Sequence, residues 1–223
     1  MRDNVLWEAA KAIHAIKLPH PTRVGIDGLS ASGKTVFADD LVQPLEQLGR
    51  HVIRASIDGF HNPSDIRYRR GEHSIDGYID DSFNYQAVVN NVLAPLGPGG
   101  DFRYKGSAFD FITNQSMSAI VEKAQSDSIL LFEGVMLFCT DLAPHWDYRI
   151  FIDASLDVIF KRAVIRDSER LGGSDKLAKK YQNRYLPGQR QYISRYKPHE
   201  TAHLMINNNN YHEPYIVRKI PPH

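Results

Sequence analysis

Cysteine is almost absent from this sequence, since Cys139 is the only one among 223 residues. A single cysteine can form neither a disulfide within the chain nor a cysteine-based zinc site, so we expect a protein of the reducing cytoplasm. An excess of charge of one sign is also missing. The 27 basic residues are balanced by 26 acidic ones, which leaves a formal net charge of +1. This balance argues against a surface that binds the phosphate backbone of nucleic acid.

Long apolar runs are missing as well. No stretch approaches the roughly 18 residues that a membrane-spanning helix requires, and the first 20 residues lack the apolar block of a signal peptide. We therefore expect no membrane partner. Hydrophobic residues make up 42% of the chain and charged residues 24%, as in an ordinary globular protein. We predict a cytoplasmic protein with a single domain over residues 1–223.

Strand patterns and helix patterns alternate along the chain. Apolar runs predict strands at 23–27, 52–57, 129–132, 148–153 and 203–206. Helical spacing predicts helices at 3–18, 35–48, 83–93, 155–171 and 174–185. This alternation predicts an α/β fold with a parallel sheet and helices on both faces. The polar and aromatic stretch from 58 to 81 is typical of a functional loop.

A phosphate-binding motif follows the first predicted strand. Residues 28–35 read Gly-Leu-Ser-Ala-Ser-Gly-Lys-Thr and match the P-loop pattern G-x-x-x-x-G-K-[ST] without deviation. Such a loop binds phosphate through inward-pointing backbone amides. We expect Lys34 to contact the β- and γ-phosphates and Thr35 to ligate Mg²⁺. The predicted nucleotide-binding residues of this segment are Gly28, Ser30, Ala31, Ser32, Gly33, Lys34, Thr35 and Val36.

Asp58 and Glu133 follow two other predicted strands. A P-loop alone does not separate kinases from GTPases, but the guanine motif N-K-x-D is missing here. Ligands of an open α/β sheet collect at the carboxyl ends of its strands, where Asp58 could accept a proton from an attacking hydroxyl. Glu133 would help to hold magnesium. The alternatives are a turn-forming aspartate before Gly59 and an ordinary charge at a strand end.

Three arginines share one predicted helix face. Arg162, Arg166 and Arg170 are spaced four residues apart, just before Gly172-Gly173. Arginines in this arrangement can bind phosphate oxygens and stabilise a transferring phosphoryl group. We predict a mobile lid over about 162–190, with Arg162 on the nucleotide and the other two in catalysis. A solvated helix face with internal ion pairs is the alternative.

These motifs together resemble the uridine kinase/phosphoribulokinase/pantothenate kinase family of P-loop kinases, and bacterial uridine kinase-like proteins in particular. The resemblance runs from Arg23 to about Pro214. It rests on the P-loop, S-I-D-G-F-H at 56–61, L-L-F-E-G at 130–134, R-A-V-I-R-D-S-E-R at 162–170 and A-H-L-M-I-N-N at 202–208. It implies ATP and Mg²⁺ as cofactors, Asp58 as the catalytic base beside the metal, and Asn208 near the adenine.

The acceptor is less closely defined by the resemblance. Uridine kinases carry Y-D-F-x-T-H-x-R, where residues 109–116 here read F-D-F-I-T-N-Q-S. The sequence D-G-F at 58–60, followed by R-G at 70–71, is similar to pantothenate kinases instead. We expect the acceptor pocket within 58–115. Its predicted substrate-binding residues are Asp58, His61, Arg69, Tyr104 and Asp110, and further candidates are Arg70, Tyr78 and Arg103.

The sequence therefore predicts an enzyme that transfers phosphate from ATP to a hydroxyl of a small metabolite. A pyrimidine nucleoside, uridine or cytidine converted to its 5′-monophosphate, is the first choice of acceptor. Pantothenate, nicotinamide riboside or a phosphosugar is the alternative, and a non-catalytic ATP-binding regulator is the second. The expected partners are ATP and the acceptor, without nucleic acid or membrane, and a homodimer is a further expectation. The predicted catalytic residues are Lys34, Asp58, Arg166 and Arg170.

Overall fold

The computed structural model describes residues 2–118, 120–167 and 178–221. The strands are β1 (Thr22–Gly28), β2 (Val52–Ser56), β3 (Arg103–Tyr104), β4 (Phe109–Asp110), β5 (Gln115–Ser116), β6 (Glu122–Lys123), β7 (Ile129–Gly134), β8 (Tyr148–Asp153), β9 (Leu204–Asn207) and β10 (Tyr215–Lys219). The α-helices are α1 (Arg2–His14), α2 (Lys34–Asp40), α3 (Val42–Gln47), α4 (Ser64–Arg67), α5 (Ile75–Asp80), α6 (Tyr85–Val88), α7 (Leu156–Asp167), α8 (Leu186–Tyr196) and α9 (Pro198–Thr201). Short 3-10 turns lie at Ile57–Phe60 and Ala143–His145, and π-helical turns at Val89–Leu93 and Tyr181–Tyr185.

A six-stranded sheet forms the centre, in the order β10-β9-β8-β1-β7-β2. Neighbouring strands from β9 to β2 pair in parallel, and β10 pairs antiparallel with β9 at one edge. Parallel strands are buried on both faces, which explains why β1 and β7 are buried along their whole length. The predicted α/β fold with a parallel sheet is confirmed.

Apolar residues of the central strand β7 alternate between two core layers. In β7, Ile129 and Leu131 face the layer that contains α1 and α2, whereas Leu130 and Phe132 face the layer that contains α8. Successive side chains of a strand point to opposite faces, so an unbroken apolar run is what a strand covered on both sides requires. No helix within the described residues is long and apolar enough to cross a membrane.

The helix predicted at 35–48 is in fact divided into α2 and α3. Pro44 has no N–H to donate to the carbonyl of Asp40, which interrupts the hydrogen-bond ladder where the two helices meet. The helix predicted at 3–18 ends at His14, four residues early. Residues 58–81 hold α4 and α5 rather than a structureless loop.

The edge strand β10 was not expected from the sequence. Its residues are exposed or half-buried in alternation, so they form no apolar run. Only part of the predicted lid lies within the described residues, because Arg170 and Gly172-Gly173 lie outside them.

Candidate functional site

The P-loop lies at the carboxyl end of β1, between β7 and β8. Gly33 has a φ of 99°, a left-handed conformation that favours glycine. A Cβ atom at this position would also collide with the side-chain amide of Asn208. That amide donates to the carbonyl of Ser32 at 2.7 Å, and Arg162 donates to the same carbonyl at 3.3 Å. Arg162 and Asn208, both predicted nucleotide-binding residues, thus hold the outside of the loop.

Lys34 is buried beneath this loop, and its Nζ donates to the carbonyl of Leu29 at 2.8 Å. Burial lowers the pKa of Lys34, while the carboxylates of Glu133, Asp27 and Asp58 act to raise it. The ammonium group of Lys34 is therefore buried near three carboxylates. Such a group is placed to neutralise phosphate oxygens at the loop.

Thr35 and Glu133 form the candidate magnesium site. The Thr35 hydroxyl donates to Glu133 Oε2 at 3.2 Å. Glu133 is the last residue but one of β7, in register with Ile26 of β1 and Ser56 of β2, so it lies between the P-loop and the segment that carries Asp58. Hydroxyl and carboxylate oxygens are the ligands that Mg²⁺ prefers when it also binds phosphates. The donor set of this site fits magnesium.

A cavity of about 710 Å³ opens beside these residues. Lys34, Thr35, Asp58, Glu133 and Arg166 all line it. The sequence distributes them over four segments, and the parallel sheet brings them to one edge. This arrangement can hold a phosphate chain on one side and place a carboxylate against an attacking hydroxyl on the other.

Aromatic rings form the far wall of the same cavity. His61, a predicted substrate-binding residue, has its ring centre 4.5 Å from that of Phe83 and 4.8 Å from that of Phe111. Tyr68 and Tyr185 line the cavity as well. Rings at these distances form offset or tilted contacts and offer a surface for a flat ligand. Sequence reasoning missed Phe83 and Phe111, whose aromatic character alone does not reveal which wall they join.

Three other predicted substrate-binding residues lie away from this cavity. Arg69 forms an ion pair with the buried carboxylate of Asp81. Tyr104 is buried in the core, where burial raises its pKa to about 12. Asp110 accepts hydrogen bonds from the backbone N–H of Ile112 and the hydroxyl of Thr113, which lower its pKa and stabilise a turn. The structure does not bring these three side chains to His61. Of the further candidates, Tyr78 lines the cavity.

A smaller cavity of about 420 Å³ lies across the P-loop. Lys34 and Thr35 line both cavities, and Val36, Arg162 and Tyr211 line only the smaller one. The P-loop therefore separates two adjoining cavities, as a donor site and an acceptor site on either side of a phosphate chain would require.

Asp27 is a buried residue of the site that sequence reasoning missed. It is the last residue but one of β1, has no exposed surface, and accepts hydrogen bonds from the N–H of Gly28 at 2.6 Å and from the hydroxyl of Tyr192. Burial raises the pKa of Asp27 to about 6, although the Tyr192 bond opposes this rise. The available signal was an acidic residue directly after the apolar residues of β1 and directly before the P-loop.

The sequence of residues 24–212 matches the phosphoribulokinase/uridine kinase family. The chain is 29% identical over 182 residues to uridine-cytidine kinase B of Dictyostelium discoideum, which covers 81% of this chain and 72% of that protein. It is 28% identical over 180 residues to uridine kinase of Escherichia fergusonii, covering 76% and 80% respectively.

A solved structure of a possible uridine kinase from Bacillus stearothermophilus has the same fold. Its TM-score is 0.72 at 21% identity, over 92% of this chain and 99% of that one. Kinases of this family use ATP with Mg²⁺ as the phosphate donor. The family match spans the P-loop, Asp58, Glu133 and the strand before Asn208. This chain belongs to the phosphoribulokinase/uridine kinase family of P-loop kinases.

Proposed function

We propose that this protein transfers the γ-phosphate of ATP to a hydroxyl of a pyrimidine nucleoside, uridine or cytidine, to give the 5′-monophosphate. The observation that carries this proposal is the single cavity lined by Lys34, Thr35, Asp58 and Glu133 on one side and by aromatic rings on the other. The nucleoside is supported by the names of the relatives, which are a uridine-cytidine kinase and a uridine kinase.

The donor side is assigned to the P-loop and the smaller cavity. The backbone of residues 28–36 and Lys34 would bind the phosphates, while Arg162, Asn208 and Tyr211 would surround the nucleoside part of ATP. Thr35 and Glu133, with Asp58 nearby, would hold Mg²⁺. Bound there, the metal supplies positive charge to the phosphate oxygens.

Asp58 is the proposed general base. The acceptor oxygen forms a bond to the γ-phosphorus, the bond to the ADP oxygen breaks, and the acceptor proton passes to Asp58. Arg166, whose guanidinium lies 3.4 Å from the Ser30 hydroxyl, is placed to stabilise the transferring phosphoryl group. A lid over 162–190, with Arg170 as a second arginine, is part of the proposal. It would exclude water that could otherwise hydrolyse ATP.

Acceptor binding is assigned to the aromatic wall. A pyrimidine ring can stack beside His61 and Phe111, with its sugar hydroxyl directed toward Asp58. Arg69, Tyr104 and Asp110, which were expected from the sequence, lie elsewhere and would act through the fold. This makes the aromatic wall the main determinant of acceptor affinity.

A second candidate is a kinase of an anionic acceptor such as pantothenate or a phosphosugar. Arg67 and Lys180 also line the cavity, and the Lys180 ammonium lies 3.3 Å from the Tyr68 hydroxyl. Two cations at the acceptor end would suit a carboxylate or a phosphate ester. Nicotinamide riboside, itself cationic, fits this end of the cavity less well.

A single kinase domain over 1–223, with an acceptor-binding part at about 58–115, belongs to the same proposal. One sheet built from residues 22–219 supports it. A cytoplasmic location is supported by the chain's only cysteine, a buried thiol whose pKa burial raises to about 11. Homodimer formation and independence from nucleic acid stay predictions.

The test is ADP release with Mg-ATP across a panel of uridine, cytidine, nicotinamide riboside, pantothenate and several phosphosugars. Strong stimulation by uridine or cytidine supports the nucleoside proposal, and a Lys34→Ala variant gives the background rate. Stimulation only by an anionic compound would replace the acceptor. ATP binding without acceptor-dependent ADP release would contradict a kinase and favour a nucleotide-binding regulator.

A further inference from the structure

The helix α8 contacts the P-loop at two points that are far away in sequence. The hydroxyl of Tyr192 donates to the carboxylate of Asp27, directly before the loop. One turn earlier, Gln189 Oε1 accepts the backbone N–H of Ser30, inside the loop, at 2.9 Å. Gln189 and Tyr192 are each only 1% exposed. The helix α8 therefore contacts both the residue directly before the phosphate-binding loop and the middle of that loop.

The Tyr192 hydroxyl fixes the orientation of the Asp27 carboxylate. It donates to Asp27 Oδ2 and accepts the backbone N–H of Phe138 at 3.0 Å. With one oxygen held in this way, Asp27 Oδ1 accepts the N–H of Gly28, the first residue of the loop, at 2.6 Å. The carboxylate also acts electrostatically on Lys34. Through Asp27, the hydroxyl of Tyr192 thus influences both the backbone of the P-loop at Gly28 and the charged group of Lys34.

The segment that precedes α8 binds the acceptor side. Arg184 is 2% exposed and donates to the carbonyls of Arg67 at 3.0 Å and Glu72 at 2.7 Å. These carbonyls belong to α4 and the turn that follows it, the part of the chain that carries Tyr68 into the acceptor cavity. Residues 184–192 therefore contact both sides of the reaction site.

We propose that Tyr192 and Gln189 are positioning residues for phosphate transfer, which hold the P-loop in its phosphate-binding conformation through Asp27 and Ser30. Neither side chain lines either cavity formed by the described residues, so neither touches ATP or the acceptor directly. The inference rests on the proposed function, because it assigns a role in that same site. It adds that α8 maintains the loop shape before nucleotide binds.

A purely structural role is the alternative, because Tyr192 also packs against Tyr196 with ring centres 5.4 Å apart. Tyr192→Phe separates the two roles, since it removes the hydroxyl and keeps the ring. Tyr148→Phe is the matched control. Tyr148 is fully buried and its hydroxyl has no hydrogen-bond partner among the described residues, so its removal should cost little.

Gln189→Met gives an independent second variant, which removes the oxygen that accepts from Ser30, and also the hydrogen bond between Gln189 and Tyr78, and leaves the Asp27–Tyr192 pair intact. Gln191→Met is its control. Gln191 is exposed on the same helix and donates to Asp76, away from the P-loop. Both pairs compare a loss of contact with the P-loop to the same chemical change elsewhere.

The first measurement is ATP affinity by calorimetry, which needs no acceptor. We expect Tyr192→Phe and Gln189→Met each to weaken ATP binding about 10-fold, as the loss of a hydrogen bond that organises the site would. The Tyr148→Phe and Gln191→Met variants should bind ATP as the wild type does. Thermal melting of each variant shows whether it is folded under the conditions of the titration.

The second measurement is the pH dependence of ATP affinity. Asp27 is surrounded by the titratable groups of Lys34, Tyr192, Tyr85 and Cys139. The hydrogen bond from Tyr192 lowers the pKa of Asp27, so removing the hydroxyl should raise that pKa further. We expect the loss of affinity on acidification to begin at higher pH in Tyr192→Phe. Asp27→Asn should lack the part of this transition that comes from Asp27.

Folded Tyr192→Phe and Gln189→Met proteins with wild-type ATP affinity and an unchanged pH profile would overturn the proposal. An equal loss in Tyr148→Phe would do the same, because it would show a general effect of a buried hydroxyl. If Tyr192→Phe does not fold, the Gln189→Met comparison decides. A wild type that binds ATP but phosphorylates no acceptor refutes the proposed function, while these binding data still judge the positioning role.

Discussion

The donor side and the acceptor side of this site differ in how they are built. The donor side is one continuous loop, residues 28–35, whose backbone is proposed to bind the phosphates, with Arg162 and Asn208 against it. The acceptor side is assembled from separate segments, each of which supplies one or two rings. Asp58 and His61 reach the cavity, whereas Arg69 does not.

This difference shows what a local pattern can specify. A P-loop places its own amides wherever a strand leads into a helix, so its motif is sufficient. An acceptor cavity depends on which side chains of distant segments meet, and that is settled by packing. Nucleotide binding is therefore the part of this function that sequence defines best, and acceptor choice the part that structure must supply.

The largest effect is expected from Asp58→Asn, on the boundary between the two sides. Removing the base should lower kcat by about 100- to 10,000-fold, because an amide cannot accept the acceptor proton. ATP affinity should change less than about twofold, since other groups of the site bind the phosphates. Asp65→Asn, an exposed aspartate of α4, is the control. Full activity in Asp58→Asn would remove this residue as the base.

The next largest effect is expected from Lys34→Ala, on the donor side. Loss of the buried ammonium should slow phosphate transfer by about 100- to 1,000-fold, because a fixed charge at the phosphate oxygens is lost. The change should weaken ATP binding as well, unlike Asp58→Asn. Lys219→Ala, which removes an exposed lysine paired with Glu8, should leave the rate unchanged. Wild-type transfer in Lys34→Ala would break the donor assignment.

A pH-dependent effect on stability is expected from Asp27. Its pKa in the folded protein is raised to about 6 from an ordinary value of 3.8, so the folded state binds more protons between these values. The free energy of unfolding should therefore fall as pH rises from 4 to 7, by about 2 kcal/mol from this group.

Denaturant melts of wild type and Asp27→Asn across this range measure that difference. The wild type should lose stability relative to the variant with rising pH, because only the wild type then carries a buried carboxylate charge at position 27. A constant difference would contradict the raised pKa and the burial of this carboxylate beneath the donor loop.

The smallest effects are expected on the acceptor side, where they sharpen the comparison most. Phe111→Ala should raise the acceptor KM about 5-fold by removing a stacking surface, with little change in the KM for ATP. Arg69→Ala should leave the acceptor KM within about twofold, since Arg70 still pairs with the buried Asp81. The reverse result would favour the sequence-based assignment over the observed cavity.

The elements that were best predicted are those with a pattern that allows one structure. The run at 148–153 became β8 at the predicted bounds, because the buried strand needs the apolar stretch that Ile150, Phe151 and Ile152 supply. The break between α2 and α3 depends on Pro44, and the sequence reasoning overlooked it. β10 escaped prediction because an edge strand, open to solvent on one side, needs no such run.

Site residues follow the same logic. Glu133 could be predicted from its place near the end of a buried strand, and in the structure its carboxylate accepts a hydrogen bond from the Thr35 hydroxyl. Arg69 could not be excluded, because nothing in the sequence shows that Asp81 is buried and pairs with it. Tyr192 contacts Asp27 across 165 positions of chain, a distance over which local patterns carry no information.

The most direct test of the account is the product formed by wild type and Asp58→Asn from Mg-ATP and uridine or cytidine, measured by mass spectrometry. We expect nucleoside 5′-monophosphate and ADP in equal amounts with the wild type, and almost none with the variant. This expectation would be contradicted by a wild type that binds ATP and phosphorylates no hydroxyl acceptor, or by equal product from both proteins.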